Sequence, residues 1–346
     1  MTVDKDFCMS SYLAFRFVVD EEKIFKSGLA HKEHQLIPED KKRPCKTSED
    51  IDRNIREILE QLDLSKCGVL LSGGIDSAIL ASYMPKGTKA YTAKCIGENA
   101  IDETIQARKY CDKYDLEHIV VEVGWDDYEN CMNELALFQG APIISNEPQA
   151  YKIAKKAKED GIECMIHGDT ADTEFGGMSL MMSKDWTLEE WIDRSIYIKP
   201  ETVLVNPSDI YYIYDRYGKK GEIADNEKFI KEIYSIATAG ALTLACRSIG
   251  LDFIDPYEEL KMSEPLDLNR VRNGDSKYLI RELFRKRYPD FEVPEKKPMS
   301  RPAEAWMRNW KGPERGEFIP GCAENMNGEK KLLLYSLERF LNLIED

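Results

Sequence analysis

The stretch Gly68-Val69-Leu70-Leu71-Ser72-Gly73-Gly74-Ile75-Asp76-Ser77 constrains this chain more than any other. A short apolar run with strand character passes through a Ser-Gly-Gly turn into a segment that Asp76 and Ser77 open as a helix. A buried strand feeding a helix through so short a loop is the unit of parallel sheets covered by helices. The residues that follow repeat the unit. Apolar runs at 67–71, 90–95, 118–123 and 163–167 alternate with stretches of helical spacing at 102–114, 126–138 and 149–159, long enough for right-handed crossovers. The expected fold is α/β, an open parallel sheet with flanking helices over roughly residues 60 to 180.

Outside that region the pattern changes. Residues 1–46 show no sustained period and end in the polar Lys41-Lys42-Arg43-Pro44, so they are expected to form a weakly structured appendage. Thr47 or Ser48 then caps a helix whose apolar face is Ile51, Ile55, Ile58, Leu59 and Leu62. After Gly177 the strand signals fade, and 188–197, 227–248, 277–288 and 331–344 read as helices. The expected organisation is an appendage (1–46), an α/β core (47–180) and a largely helical part (181–346).

Composition excludes several classes of function. With 63 acidic and 48 basic residues the formal net charge is -15, which repels a nucleic-acid backbone. No run of about 20 apolar residues spans a membrane, and the acidic start Met1-Thr2-Val3-Asp4-Lys5-Asp6 is unlike a signal peptide. Nine scattered cysteines with no C-x-x-C pair read as reduced thiols. These features point to a cytoplasmic protein without nucleic-acid or membrane partners.

In an open α/β sheet, ligands sit beyond the carboxyl ends of the strands. There, Ser72, Gly73 and Gly74 let the backbone approach an anion, the first helical turn offers N–H groups, and the hydroxyls of Ser72 and Ser77 add donors. Pyrophosphate suits such a loop, although Ser-Gly-Gly also serves as a plain turn with Asp76 as a helix cap. No G-x-x-x-x-G-K-[ST] occurs in the chain, which disfavours kinase and GTPase chemistry. A second loop, Gly168-Asp169-Thr170-Ala171-Asp172-Thr173-Glu174-Phe175-Gly176-Gly177, follows the strand ending at His167. If it faces the first, Asp76 and Asp172 supply hard oxygen ligands for Mg2+ on phosphate. The bland reading of that loop is structural.

These segments carry a resemblance. Residues 72–77 match the S-G-G-x-D-S loop of the ATP pyrophosphatase superfamily, and 168–177 resemble the G-[DE]-G-x-D-E-x-F-G-G segment of asparagine synthetases and β-lactam synthetases. Ile101-Asp102-Glu103 with Ala107 is similar to the D-E-x-x-x-A helix, and Lys277-Tyr278-Leu279-Ile280-Arg281 to the K-x-x-L-R helix that precedes a catalytic lysine. That lysine corresponds to Lys296, or to Lys297 if the register slips by one. The departures are Asp169 where many members have Glu, Thr170 for Gly, Thr173 for Glu, and Asp255-Pro256-Tyr257-Glu258 for P-F-L-D. Residue 2 is Thr2 rather than a nucleophilic cysteine, and with 71 residues ahead of Ser72 no glutaminase domain is expected.

The resemblance implies a HUP-like synthetase that adenylates a substrate carboxylate with ATP and Mg2+, releases pyrophosphate, and lets ammonia or an amine displace AMP. It places ATP at Leu70, Ser72, Gly73, Gly74, Asp76, Ser77, His167 and Gly168, the metal at Asp76 and Asp172, and catalytic duties on Lys296 and Asp169. Ammonia from a separate glutaminase subunit is a further expected source of nitrogen, and a homo-oligomer is compatible with the sequence. Two rivals remain: a sulfur-inserting enzyme of the same superfamily, and a nucleotide-binding regulator that has lost catalysis. His31 and His34 are expected at the surface, and Trp186, Trp191, Trp306 and Trp310 in the core or in the substrate-pocket wall.

Overall fold

The computed structural model describes residues 1–295 and 301–345. Its centre is a five-stranded parallel sheet of β1 (Cys67–Leu70), β2 (Lys89–Cys95), β3 (Glu117–Val123), β4 (Cys164–Ile166) and β5 (Asp252–Ile254). The strands lie in the order β3-β2-β1-β4-β5, so the chain winds outward from β1 and then reverses to add β4 and β5 on the other side. Val69 sits at the centre, opposite Ala90 on one side and Ile166 on the other, and is fully buried with Ala90 and Tyr91.

Helices cover this sheet. In chain order they include α1 (Lys5–Phe15), α2 (Ser48–Leu59), α3 (Ile75–Ala81), α4 (Thr104–Tyr114), α5 (Trp125–Gln139), α6 (Glu147–Glu159), α7 (Ser235–Ser248), α8 (Tyr278–Arg287) and α9 (Gly328–Glu345). Local chemistry accounts for α2. The Thr47 hydroxyl accepts the Asp50 amide at 3.2 Å and the Asp50 carboxylate accepts the Thr47 amide at 3.0 Å, a reciprocal cap. Ile51, Ile55, Ile58 and Leu59 then turn one face into the core.

Two expectations fail. The first 46 residues are not weakly structured: nine of the eleven residues of α1 are buried, among them Phe7, Tyr12, Leu13 and Phe15. The Tyr12 hydroxyl donates to the Ile143 carbonyl at 2.5 Å, and the carbonyls of Leu13 and Ala14 accept the amides of Ile198 and Tyr197. An all-buried helix shows no amphipathic period, so its signal was missing from the sequence. The other is the extent of the sheet, expected over roughly residues 60 to 180: β5 joins it from the largely helical part. That strand is three residues long, too short for alternation to show.

Asn226–Ser248 forms one continuous helix, with a wider turn at Ile230–Tyr234, that is long and apolar enough to cross a membrane. Of its most apolar window, 72% is buried inside the protein, as in a core helix.

Candidate active site

The strand order reverses between β1 and β4, and the loops leaving their carboxyl ends face each other there. Between them lies a cavity of about 400 Å³. Leu70, Ser72, Gly73, Gly74, Asp76 and Ser77 line it from the first loop, and His167, Gly168, Asp169 and Asp172 from the second. The chain lines it again through Lys277, Arg281 and 293–295. Lys296 and Lys297 lie outside the described residues.

The first loop is knitted by its own hydroxyls. Ser77 Oγ accepts the Ser72 amide at 3.0 Å, Ser72 Oγ accepts the Gly74 amide at 3.1 Å, and the two hydroxyl oxygens stand 3.0 Å apart. From outside, the Tyr110 hydroxyl donates to the Gly73 carbonyl at 3.2 Å and the Tyr257 hydroxyl to the Asp76 carbonyl at 3.0 Å. Two amides expected to face an anion are therefore engaged within the loop.

Asp76 and Asp172 do converge, and between them stands a cation that sequence reasoning did not count in the site. Lys277 Nζ lies 2.5 Å from Asp76 Oδ2 and 2.6 Å from Asp172 Oδ1. Only 5% of Lys277 is exposed, and it takes the left-handed conformation at φ 52° that opens α8. Burial opposes its charge, but the two carboxylates outweigh burial and hold it protonated above the ordinary lysine range. The signal for it is the K-x-x-L-R resemblance, whose first residue is Lys277 itself.

The glycines of the second loop have distinct reasons. A Cβ on Gly177 would sit 1.9 Å from Asp172 Oδ1 and 2.3 Å from Lys277 Cε, so only glycine leaves that ion cluster its room. A Cβ on Gly168 would meet the Tyr257 ring at 2.7 Å. Thr170, which departs from the synthetase pattern, is held by the buried Asp255: one carboxylate oxygen accepts the Thr170 amide at 2.8 Å and its hydroxyl at 2.7 Å, and the other accepts the Tyr257 amide at 2.9 Å. Burial pushes the Asp255 carboxyl up to about 8. Beneath the loop Glu174 pairs with Lys42, so the N-terminal segment braces the site.

Asp169 is half-buried and its Oδ2 meets no hydrogen-bond partner among the described residues. Burial pushes its carboxyl up to about 6; Asp172 and Asp76 act in the same direction, Lys277 and Arg16 against it. His167 is 2% exposed and stacks on Phe253 with ring centroids 3.7 Å apart. Burial holds it neutral, well below the ordinary histidine range, so its ring forms part of the cavity wall. Of the nine cysteines, all described, Cys95 alone lines the cavity, and no second thiol accompanies it.

The family model for asparagine synthase matches residues 61–237, just over half of the chain. The chain belongs to the asparagine synthase family. A glutamine-hydrolyzing asparagine synthetase from Zea mays is 27% identical over 144 residues, which is 36% of this chain and 24% of that enzyme. A probable asparagine synthetase from Dictyostelium discoideum is 26% identical over 38% of this chain and 28% of its own length. The chain thus spans about a quarter of the length of these curated relatives. Among solved structures, an NH3-dependent NAD synthetase from Campylobacter jejuni aligns with 72% of this chain and 97% of its own, at 14% identity and a TM-score of 0.26. The match ends at 237, so β5, Asp255 and Lys277 lie beyond it.

Proposed function

We propose that the chain is an ATP-dependent amide-forming ligase, which adenylates a small-molecule carboxylate, releases AMP and pyrophosphate, and takes nitrogen from ammonia or an amine. The convergence of Asp76, Asp172 and Lys277 in the crevice between two phosphate-competent loops carries this reading. Family membership supports its chemical class. The glutamine-hydrolyzing relatives suggest a second ammonia source, a separate glutaminase subunit.

The donor set fits Mg2+. Magnesium takes one or two carboxylates and completes its octahedron with phosphate oxygens and water. Asp76 and Asp172 already hold one positive charge between them, the Lys277 ammonium. They would hold the metal, and when bound it would offset negative charge on the outer phosphates. The chain's own groups do the rest. Ser72, Gly74 and Ser77 exchange their internal hydrogen bonds for phosphate oxygens, and Lys277 neutralises charge gathering on the leaving pyrophosphate. Adenine lies against Leu70, His167 and Gly168. Asp169, poised near neutrality, accepts a proton from the nitrogen nucleophile. The expected role of Lys296, beyond the described residues, is a second positive charge on the same leaving group.

The test is pyrophosphate release by the purified chain against a panel of carboxylic acids with ammonium or amines, with AMP and ADP quantified separately. AMP is expected to accumulate with pyrophosphate, and Lys277→Met to slow release about 100-fold. Formation of ADP and orthophosphate instead would refute adenylation.

A further inference from the structure

A second, smaller cavity of about 40 Å³ shares two helical walls with the first. On α6, Glu147 lines the small cavity and Gln149, two residues further, lines the large one. On α7, Ala241 lines the small cavity and its neighbour Leu242 the large one. The remaining wall includes Arg16 and His34, both ahead of the segment that the family model matches.

Five buried polar atoms on side chains lining this cavity make no hydrogen bond among the described residues; His31 Nδ1 and Glu33 Oε1 stand 2.8 Å apart and face each other, which leaves three acceptors with no partner, Glu147 Oε2, Gln139 Oε1 and His34 Nδ1. The three residues are 3%, 4% and 7% exposed. Their other polar atoms are committed. Glu147 Oε1 accepts the Ile144 amide at 2.9 Å, and Gln139 Nε2 donates to the carbonyls of Ala141 and Pro142 at 3.2 and 2.9 Å. His34 Nε2 faces Glu258 Oε1 at 2.7 Å, which keeps a proton on Nε2 and leaves Nδ1 as an acceptor. The expectation of His34 at the surface thus fails, because that hydrogen bond is buried.

A buried acceptor left without a donor keeps the full cost of its lost hydration, so three around one small space call for an occupant rich in donors. Ammonium has four N–H donors and a charge to match a carboxylate, and a cavity of about 40 Å³ admits it. Burial pushes Glu147 up to about 8, against the Ile144 amide and the Gln139 side chain, as expected of a carboxyl that lacks its counter-ion. Arg16 also lines the cavity, with its guanidinium 5.5 and 5.7 Å from the ring centroids of Tyr197 and Tyr234 and in no ion pair among the described residues. Its charge is felt at Asp169, and it limits how tightly a neighbouring cation is held.

We propose that this cavity receives the nitrogen donor as ammonium, bound by Glu147, Gln139 and His34 across a helical wall from Asp169. The inference rests on the amide-forming reading above. Transfer of one N–H proton to the Glu147 carboxylate leaves a carboxylic acid and neutral ammonia, the nucleophilic form, with no further reactant.

The test pairs binding with kinetics. Crystals of the full chain soaked in thallium(I), an ammonium-sized cation with a strong anomalous signal, are expected to show a peak within reach of Glu147, Gln139 and His34 that is absent in Glu147→Gln. In the pyrophosphate-release assay, Glu147→Gln is expected to raise the KM for ammonium about tenfold, the loss of one charged hydrogen bond, while the KM for ATP stays unchanged. An empty cavity in the wild-type crystal, or an unaltered KM for ammonium in the variant, overturns the site and leaves the ligase reading standing. Pyrophosphate release that never depends on ammonium or an amine overturns both.

Discussion

Asp169 shows how far a single side chain can be read. A carboxylate was expected near the reacting carbon from the G-D-T-A-D run, but its proton affinity depends on neighbours that arrive from elsewhere in the chain. Burial raises it from an ordinary 3.8 to about 6. The sign follows: the folded chain binds this proton more tightly than the unfolded chain, so the contribution to stability is complete below 3.8 and lost as pH rises through about 6. In the proposed mechanism the deprotonated form is the one that accepts a proton from the nucleophile. Pyrophosphate release is therefore expected to climb through about pH 6, and Asp169→Asn to lose that limb. The variant's melting temperature is also expected to fall less than wild type between about pH 4 and pH 7. A wild-type limb retained by Asp169→Asn would assign the titration to another group. Lys277 teaches the complementary lesson, since nothing adjacent in sequence announces that it would be clasped by Asp76 and Asp172, 201 residues away in the first case.

At the scale of elements, the loops after β1 and β4 were legible because each couples a strand end to residues of one chemistry. Their glycines, however, are not alike. Neither Gly73 nor Gly74 has a positive φ, and a Cβ at Gly73 would meet its nearest atoms at an ordinary 3.5 Å. Gly177 is sterically locked against Asp172 and Lys277. Gly177→Ala is expected to displace both side chains, lower stability by about 2 kcal/mol and slow pyrophosphate release about 100-fold. Gly73→Ala is expected to unfold within about 0.5 kcal/mol of wild type. Chemical denaturation of the two variants checks the contrast, and equal midpoints would mean that the Asp172–Lys277 cluster relaxes freely. The departure at Thr170 also finds its reason at this scale, because Asp255, at the exit of β5, accepts both of its hydrogens.

For the molecule as a whole, the N-terminal segment decides more than its sequence suggested. Helix α1 buries Phe7, Met9, Tyr12, Leu13 and Phe15, and Lys42 pairs with Glu174 under the second loop. Each large apolar side chain withdrawn from water contributes about 1.5–3 kcal/mol, while a whole domain is stable by only about 5–15 kcal/mol. A chain that starts at Thr47 is therefore expected to lose cooperative unfolding and near-ultraviolet circular dichroism. A truncated chain that unfolds sharply at the wild-type denaturant midpoint would show α1 to be dispensable.

Strand-and-helix alternation, the two glycine-bearing loops at the strand ends and the capped helix at Thr47 were all written in local sequence, because periodicity and turn chemistry act over a few residues. So was the reading of family, which needs only the order and spacing of motifs. The pairing of β5 with β4, the burial of α1, the ion cluster at Lys277 and the acceptor-lined cavity at Glu147 emerged only on folding. Each joins groups far apart in the chain, and their burial, charge balance and proton affinities exist only once packing has removed the water between them.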